Sequence, residues 1–497
     1  MFEISETEIN ARLKFDNPWW LSISGTEERY KKLPKRFYFK PFFELLSEKE
    51  INRAVVLMGP RRVGKTVMVF HAIQELIDGG IPSRNILYLS LETPIYTGLA
   101  LERIINLFIL NFKHERSSEL FIFFDEIQYL KDWEIHLKSL VDSYPTYKFV
   151  ATGSAAAALR MKSKESGAGR FTDFLLPSLT FSEYLTFINR SEELILEKED
   201  DEWGGYSAKN IEELNKEFIN YLNYGGYPEA VFSEKIKTES SQFIKSDIID
   251  KVLLRDLPSL YGIDDIQELN RLFTTVAYNT GQEVSLEELS MSSGVAKNTI
   301  KKYLEYLEAA FLIKKVTRVD ETARKFKRAT SFKVYLTNPS MRAALFGFIE
   351  ADSQAMGALT ETAIYSQWLH SDTINNLRYA RWKKGEIDIV YIDPKDQKPL
   401  WVVEVKWSDA PIENHHLLEN IIYFMDQHKI ENTPLITTRT QSANIFYKEI
   451  NFEMIPSSEY AFLLGKNILN LKWAKKMTLN KNDENQDVIK NEPKEPK

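Results

Sequence analysis

Short continuous apolar runs alternate with longer amphipathic stretches along the first part of the chain. Residues 55–57 (VVL), 86–89 (ILYL), 121–124 (FIFF) and 149–151 (FVA) have strand length and no polar interruption, as expected of strands covered on both faces. The helical-period segments between them predict a parallel α/β sheet over residues 51–185. Ahead of it, residues 1–50 carry Asn17-Pro18-Trp19-Trp20 and an amphipathic run over 37–46. This segment is expected to pack against the sheet, with the tryptophan pair serving either the core or a partner surface. Residues 186–265 turn helical and polar, broken sharply at Tyr224-Gly225-Gly226-Tyr227-Pro228, a pattern that suits a helical lid.

Farther on, the period predicts a helix over 286–290, a turn through Ser293 and Gly294, and a second helix over 297–307. Leu304, Leu307 and Phe311 share the core face, which leaves Lys297, Asn298, Lys301 and Lys302 outward. Lys314, Lys315, Arg318, Arg324, Lys325, Lys327, Arg328 and Lys333 then populate two expected hairpin strands, with Asp320 and Glu321 as the local acids. Helix, turn, helix and basic hairpin describe a winged helix over 266–345. Its cations would neutralise phosphates, which makes DNA the expected partner, with Lys297, Asn298, Lys301, Lys302, Lys325, Lys327 and Arg328 as contacts. A winged helix that only packs against protein is the other reading. Residues 346–475 form a further domain, and 476–497 are polar and charged with almost nothing to bury, an expected disordered tail.

Composition narrows the chemistry. The 497 residues are 43% hydrophobic and 12% aromatic, enough for several packed cores in two to four domains. The absence of cysteine removes disulfides, thiolate nucleophiles and cysteine zinc sites, and the seven histidines show no H-E-x-x-H spacing. Any metal should be a hard cation on carboxylates. The opening MFEISETEIN lacks a basic-then-apolar signal pattern, and no run approaches the roughly 18 apolar residues that span a bilayer. A soluble cytoplasmic protein without a membrane partner is expected. A net charge of −7 gives no global pull toward nucleic acid, so the case for DNA rests on the local basic cluster.

The richest chemistry follows the first strand. Gly59-Pro60-Arg61-Arg62-Val63-Gly64-Lys65-Thr66 fits G-x-x-x-x-G-K-[ST] between a strand and a helix. In such a loop backbone N–H groups cradle phosphates, the Lys reaches the terminal ones and the Thr ligates Mg²⁺. The strand at 120–124 ends in Asp125 and Glu126, placing one carboxylate for the metal and one for the attacking water. Thr152, at the end of the next strand, is the candidate sensor of the γ-phosphate. Arg170 is a candidate arginine finger acting on a neighbouring subunit, or a plain surface arginine.

A second constellation lies near the C-terminus. Residues 386–391 (EIDIVY) and 399–407 (PLWVVEVKW), joined by a turn over 393–396, read as antiparallel strands. Glu404 and Lys406 share a face, and register brings Asp388 opposite them. Asp388 and Glu404 would hold Mg²⁺, Lys406 would position or activate the nucleophile, and Glu361 would complete the metal shell. Glu404 lies among Val402, Val403 and Val405, a setting that demands a partner for a carboxylate.

GPRRVGKT, FFDEIQYL, ATGS, Gly169-Arg170, NYGGYPEAV (223–231), the helix-turn-helix, GEIDIV and VVEVKWS stand in an order that resembles a widespread prokaryotic family of AAA-type ATPases related to the archaeal ATPase group. The resemblance spans nearly the whole chain. It implies an α/β fold: a P-loop AAA+ ATPase core with helical lid, a winged helix-turn-helix, and a C-terminal α/β PD-(D/E)XK nuclease-like domain. Lys65, Thr66, Asp125 and Glu126 match the ATPase site, and Glu361, Asp388, Glu404 and Lys406 the nuclease positions. Ile387 replaces the usual Pro. The expected function is an ATP- and Mg²⁺-dependent homo-oligomer that remodels or processes DNA, duplex or branched, with a nuclease-like domain able to cut. The alternative is a nucleotide-dependent signalling switch with a protein partner, in which that domain only makes contacts.

Overall fold

The computed structural model describes residues 4–21, 25–48, 50–96, 98–153, 169–198, 205–319 and 331–468. Arg324, Lys325, Lys327, Arg328 and the expected tail lie outside the described residues. Two compact units emerge, one of Met1–Ser178, Tyr227–Val276 and Leu286–Lys314, the other of Leu179–Gly226, Ala277–Ser285 and Lys315–Lys497. Among the described residues no helix is long and apolar enough to cross a membrane.

In the first unit the apolar runs become strands β1 (Ala54–Met58), β2 (Ile86–Ser90), β3 (Leu120–Asp125) and β4 (Tyr147–Gly153), joined by β5 (Phe171–Leu175) in an all-parallel sheet of order β2-β3-β4-β1-β5. β5 escapes a search for continuous apolar runs because Thr172 and Asp173 interrupt it; as an edge strand it needs less cover. The opposite edge, β2, is closed by the N-terminal segment. Asn17 accepts from the Tyr88 N–H at 2.6 Å and donates to its carbonyl at 3.0 Å. Both indole N–H groups of Trp19 and Trp20 donate to Ile86 O, at 3.2 and 2.8 Å. The tryptophan pair is therefore buried core that satisfies edge backbone groups, not a partner surface.

The expected lid over 186–265 does not stay together; it divides between Gly226 and Tyr227. Before the break, Phe218 and Tyr221 form an aromatic cluster with Phe181 and Tyr184, which precede the expected lid, and Phe218 stacks on Trp407 of the same unit. After the break, charge takes over: Glu229, Asp247 and Asp256 hold the two arginines of the phosphate loop.

The segment expected as one winged helix also divides. Helices Leu286–Ser293 and Lys297–Ala309, with Gly294 at φ 73° between them, go with the first unit. Phe311 lies past the helix end at φ 59° and is only partly buried, so it departs from the core face of Leu304 and Leu307. In the second unit β6 (Ile195–Lys198) and β7 (Gly205–Ala208) make a two-stranded antiparallel pair. β8 (Glu283–Ser285), β9 (Ile313–Val319) and β10 (Ser331–Leu336) join β11 (Leu377–Trp382), β12 (Gly385–Ile392), β13 (Pro399–Glu404), β14 (Leu435–Thr438), β15 (Ala443–Tyr447) and β16 (Ile450–Pro456) in one sheet of order β15-β16-β14-β13-β12-β11-β9-β10-β8. β9 pairs parallel with β11 through Tyr379↔Arg318 and Ala380↔Val319. The strands expected as a free-standing wing thus spend their ladder bonds on a larger sheet.

Helix Met356–Trp368 packs on one face of that sheet with Ile389, Val403 and Tyr379, and helix Glu419–His428 on the other with Ile387, Val390 and Val402. Between the pairs Arg378↔Val390 and Ala380↔Ile387, β12 has one residue more than β11. This bulge falls at Asp388–Ile389 and re-aims their side chains locally.

Candidate functional site

The phosphate loop leaves β1 at Met58 and turns into helix Lys65–Asp78 through Arg62 (φ 63°) and Gly64 (φ 95°). Gly59 cannot be replaced cheaply, since a Cβ there would lie 2.1 Å from Leu176 O. Lys65 is buried, and burial pushes its ammonium pKa down. Its Nζ donates to Gly59 O at 3.1 Å and Pro60 O at 2.7 Å, inside the loop.

Asp125 ends β3 at the mouth of this loop. Its carboxylate accepts from Thr66 Oγ1 at 2.9 Å, from Tyr88 OH at 2.9 Å, and from Thr152 Oγ1. Burial, followed by the charge of Glu126, raises its pKa, and the three hydroxyl donors oppose the rise. Glu126 turns out of the strand at φ 54°, its N–H donating to Thr152 Oγ1 at 3.0 Å and its carboxylate accepting from Gln128. Thr66, Asp125, Glu126 and Thr152 thus converge, as their sequence positions predict. A threonine hydroxyl beside a buried carboxylate is a hard-oxygen pair that fits Mg²⁺. Tyr88 was not anticipated; inside an apolar strand it reads as core.

Arg61 and Arg62 are held by acids from Tyr227–Val276. Arg61 makes a bidentate pair with Asp256 at 2.7 and 2.8 Å, and Arg62 reaches Glu229 and Asp247, each at 2.9 Å. Burial would lower the Arg61 pKa, yet Asp256 carries it above the ordinary value. Arg170 lies at the start of β5, where its carbonyl accepts from Ala54 N–H at 2.9 Å and its side chain pairs with Asp142. Because β1 and β5 run parallel, it sits at the end of the sheet away from the loop of its own chain. Lys297, Asn298, Lys301 and Lys302 are all exposed on helix Lys297–Ala309, with Lys297 paired to Glu287.

In the second unit the register Ile389↔Val403 sets Asp388 beside Glu404. Lys406 Nζ lies 2.6 Å from Glu404 Oε1 and 3.5 Å from Asp388 Oδ2, and Val405 N–H donates to Asp388 at 3.0 Å. Glu361, on helix Met356–Trp368, joins the group through Lys333. Lys333 of β10, counted among the hairpin cations, is 2% exposed. Its Nζ lies 2.8 Å from Glu361, 2.6 Å from Glu386 and 3.2 Å from Asp388. Among the described residues no group of three or more His, Cys, Asp or Glu is arranged to hold a metal ion. Ammonium groups stand between the carboxylates that the sequence offers as Mg²⁺ ligands, Lys333 beside Glu361 and Asp388 and Lys406 beside Glu404.

Charge balance follows from burial. Burial and the charge of Asp388 push Glu404 up to about 8 and Glu361 up to about 7. Burial would raise Asp388 too, but Lys333, Lys406 and the Val405 N–H hold it below the ordinary range. Tyr335 OH donates to Glu361, and its ring stacks on Tyr365 at 3.8 Å.

Residues 51–185 match the family model of an AAA domain, and 215–352 that of a domain of unknown function (DUF8612). With the loop geometry above, the first match supports an AAA-type P-loop domain over this segment. An uncharacterized protein of Haemophilus influenzae is 25% identical over 395 residues, 78% of this chain and 90% of that one. Among solved structures, C. elegans PCH-2 aligns with 39% of this chain and 58% of its own at 14% identity and TM-score 0.26. The replication initiator DnaA bound to AMPPCP and single-stranded DNA aligns with 54% of this chain and 86% of its own at 14% identity and TM-score 0.23.

Proposed function

We propose that the chain is an ATP-hydrolysing AAA-type enzyme that binds DNA and remodels or processes it as a homo-oligomer in the cytoplasm. The observation that carries this reading is the convergence of Thr66, Asp125, Glu126 and Thr152 at the mouth of the phosphate loop. Lys65 would exchange its two carbonyl partners for the terminal phosphates. Thr66 and Asp125 would hold Mg²⁺, which neutralises charge on the transferred phosphoryl group. Glu126 orients the attacking water, and Thr152, the candidate sensor, binds the Asp125 carboxylate and the Glu126 N–H. Arg170, remote from its own loop, serves a neighbouring subunit. DNA is gripped by Lys297, Asn298, Lys301 and Lys302, with Lys325, Lys327 and Arg328 adding cations nearby in sequence.

The PD-(D/E)XK-like centre holds its substrate in this reading, with the half-exposed Lys406 facing a phosphate. The filling of that centre by ammonium groups also favours the second reading, a nucleotide-dependent switch whose nuclease-like unit only makes contacts. One experiment separates them: ATP turnover and strand integrity measured together on branched, duplex and single-stranded DNA. Turnover stimulated by DNA supports the DNA enzyme. Turnover indifferent to every DNA, with a stable protein complex, replaces it by the switch.

A further inference from the structure

Three carboxylates from two elements meet one buried nitrogen in the second unit. Glu361 comes from helix Met356–Trp368, and Glu386 and Asp388 from β12. All three lie within 3.2 Å of Lys333 Nζ. An ammonium has three N–H donors and no acceptor; here it donates to Glu361 and Asp388 and pairs by charge with Glu386. The Tyr379 ring, 5.4 Å from Nζ, covers it as well. This is not the arrangement of a surface ion pair: the Lys333 side chain is 2% exposed, and those of Glu361 and Asp388 are 10% and 9%. Without a cation among them, carboxylates this close would repel one another strongly.

We propose that Lys333 is the resident cation of this centre: its ammonium takes the place a divalent metal would occupy, and the carboxylate site is a latent metal site closed by β10. The inference concerns the second unit alone and does not depend on the ATPase reading. Polarisation of a phosphodiester by a divalent ion is unavailable while Lys333 stays in place, because the ion would have to displace a buried, triply ion-paired ammonium from the same oxygens. Lys406 differs. It is 41% exposed, pairs with the other side of Asp388 and with Glu404, and leaves the Glu361–Glu386–Asp388 face to Lys333.

The test uses the full-length, nucleotide-free protein with Mn²⁺ as the probe, read by titration calorimetry and by thermal unfolding in chelator against metal. Wild type and Asp388→Asn should give the same isotherm. Lys333→Ala should gain one Mn²⁺ site at least about tenfold tighter than any in wild type, because the competing positive charge has gone. That site should vanish in Lys333→Ala/Glu361→Gln. The melting temperature of Lys333→Ala, lowered in chelator, should rise with Mn²⁺, while Lys333→Arg, which keeps the charge, should gain no site. A folded Lys333→Ala protein indifferent to Mn²⁺ overturns the proposal. Should that variant fail to fold even with metal, the wild-type titration decides: a Mn²⁺ site abolished by Asp388→Asn overturns it, and identical isotherms support it.

Discussion

Replacing Asp256 by Ala isolates the link between the phosphate loop and the Tyr227–Val276 segment. Arg61 and Asp256 are 13% and 10% exposed and share two charge-assisted hydrogen bonds of 2.7 and 2.8 Å. Deleting the carboxylate strands a guanidinium with little access to water, which costs about 3–5 kcal/mol for a buried pair. At roughly 2–4 °C per kcal/mol for a unit of this size, melting of the first unit should fall by about 6–20 °C. A nucleotide phosphate would give the arginine a new charged partner. A non-hydrolysable ATP analogue should therefore raise the melting temperature of Asp256→Ala more than that of wild type. Arg61→Met/Asp256→Ala removes both charges and should recover most of the loss, to within about 1 kcal/mol of wild type. Melting of Asp256→Ala within about 1 °C of wild type would refute the reasoning, since about 3 kcal/mol should move it several degrees. So would a double variant that loses the sum of the two single losses.

Lys65→Ala should weaken ATP binding and abolish turnover, whereas Glu126→Gln should bind ATP and fail to hydrolyse it; a nucleotide-binding assay beside phosphate release checks both, and wild-type turnover in both would remove the site assignment. Reversing the charge of Lys297, Lys301 and Lys302 together should weaken DNA binding and flatten its salt dependence, measured by anisotropy over a range of salt, with ATP binding retained. The pH dependence of stability has a definite sign. Glu404 at about 8 and Glu361 at about 7 hold protons that an unfolded chain, near 4.5, has already released. Their contribution is full below about 4.5 and is lost as pH rises through 7 to 8. Urea unfolding across that window should show the loss, and Glu404→Gln should lessen it; a slope of opposite sign in wild type would contradict the burial argument.

The nucleotide site was largely legible in sequence because its chemistry is local. Gly59, Gly64, Lys65 and Thr66 lie within one strand–loop–helix, and Asp125 and Thr152 end strands whose apolar runs announce them. Asp388, Glu404 and Lys406 were legible for the same reason, through alternation and one antiparallel register. Long-range side-chain packing was not. Nothing in the 186–265 pattern says that its aromatic part, Phe218 and Tyr221 among it, would leave the lid, since aromatic residues at helical spacing serve any core. Tyr88 reads as strand core, yet its hydroxyl finds Asp125.

Lys333 shows most clearly how a cation can be misread. Counted with Lys314, Lys315 and Arg318 it belongs to a basic hairpin, and charge density alone points it at solvent. Strand alternation argues otherwise. In SFKVYL, Lys333 shares a face with Tyr335, and Tyr335 is wholly buried, stacked on Tyr365 with its hydroxyl on Glu361. A buried aromatic at i+2 carries its neighbour inward, and an inward lysine must meet carboxylates or lose its charge. The strand's other face, Phe332 and Val334, is equally buried, so β10 has no solvent side on which an ammonium could lie. Burial on both faces thus makes this hairpin cation the counter-ion of Glu361, Glu386 and Asp388.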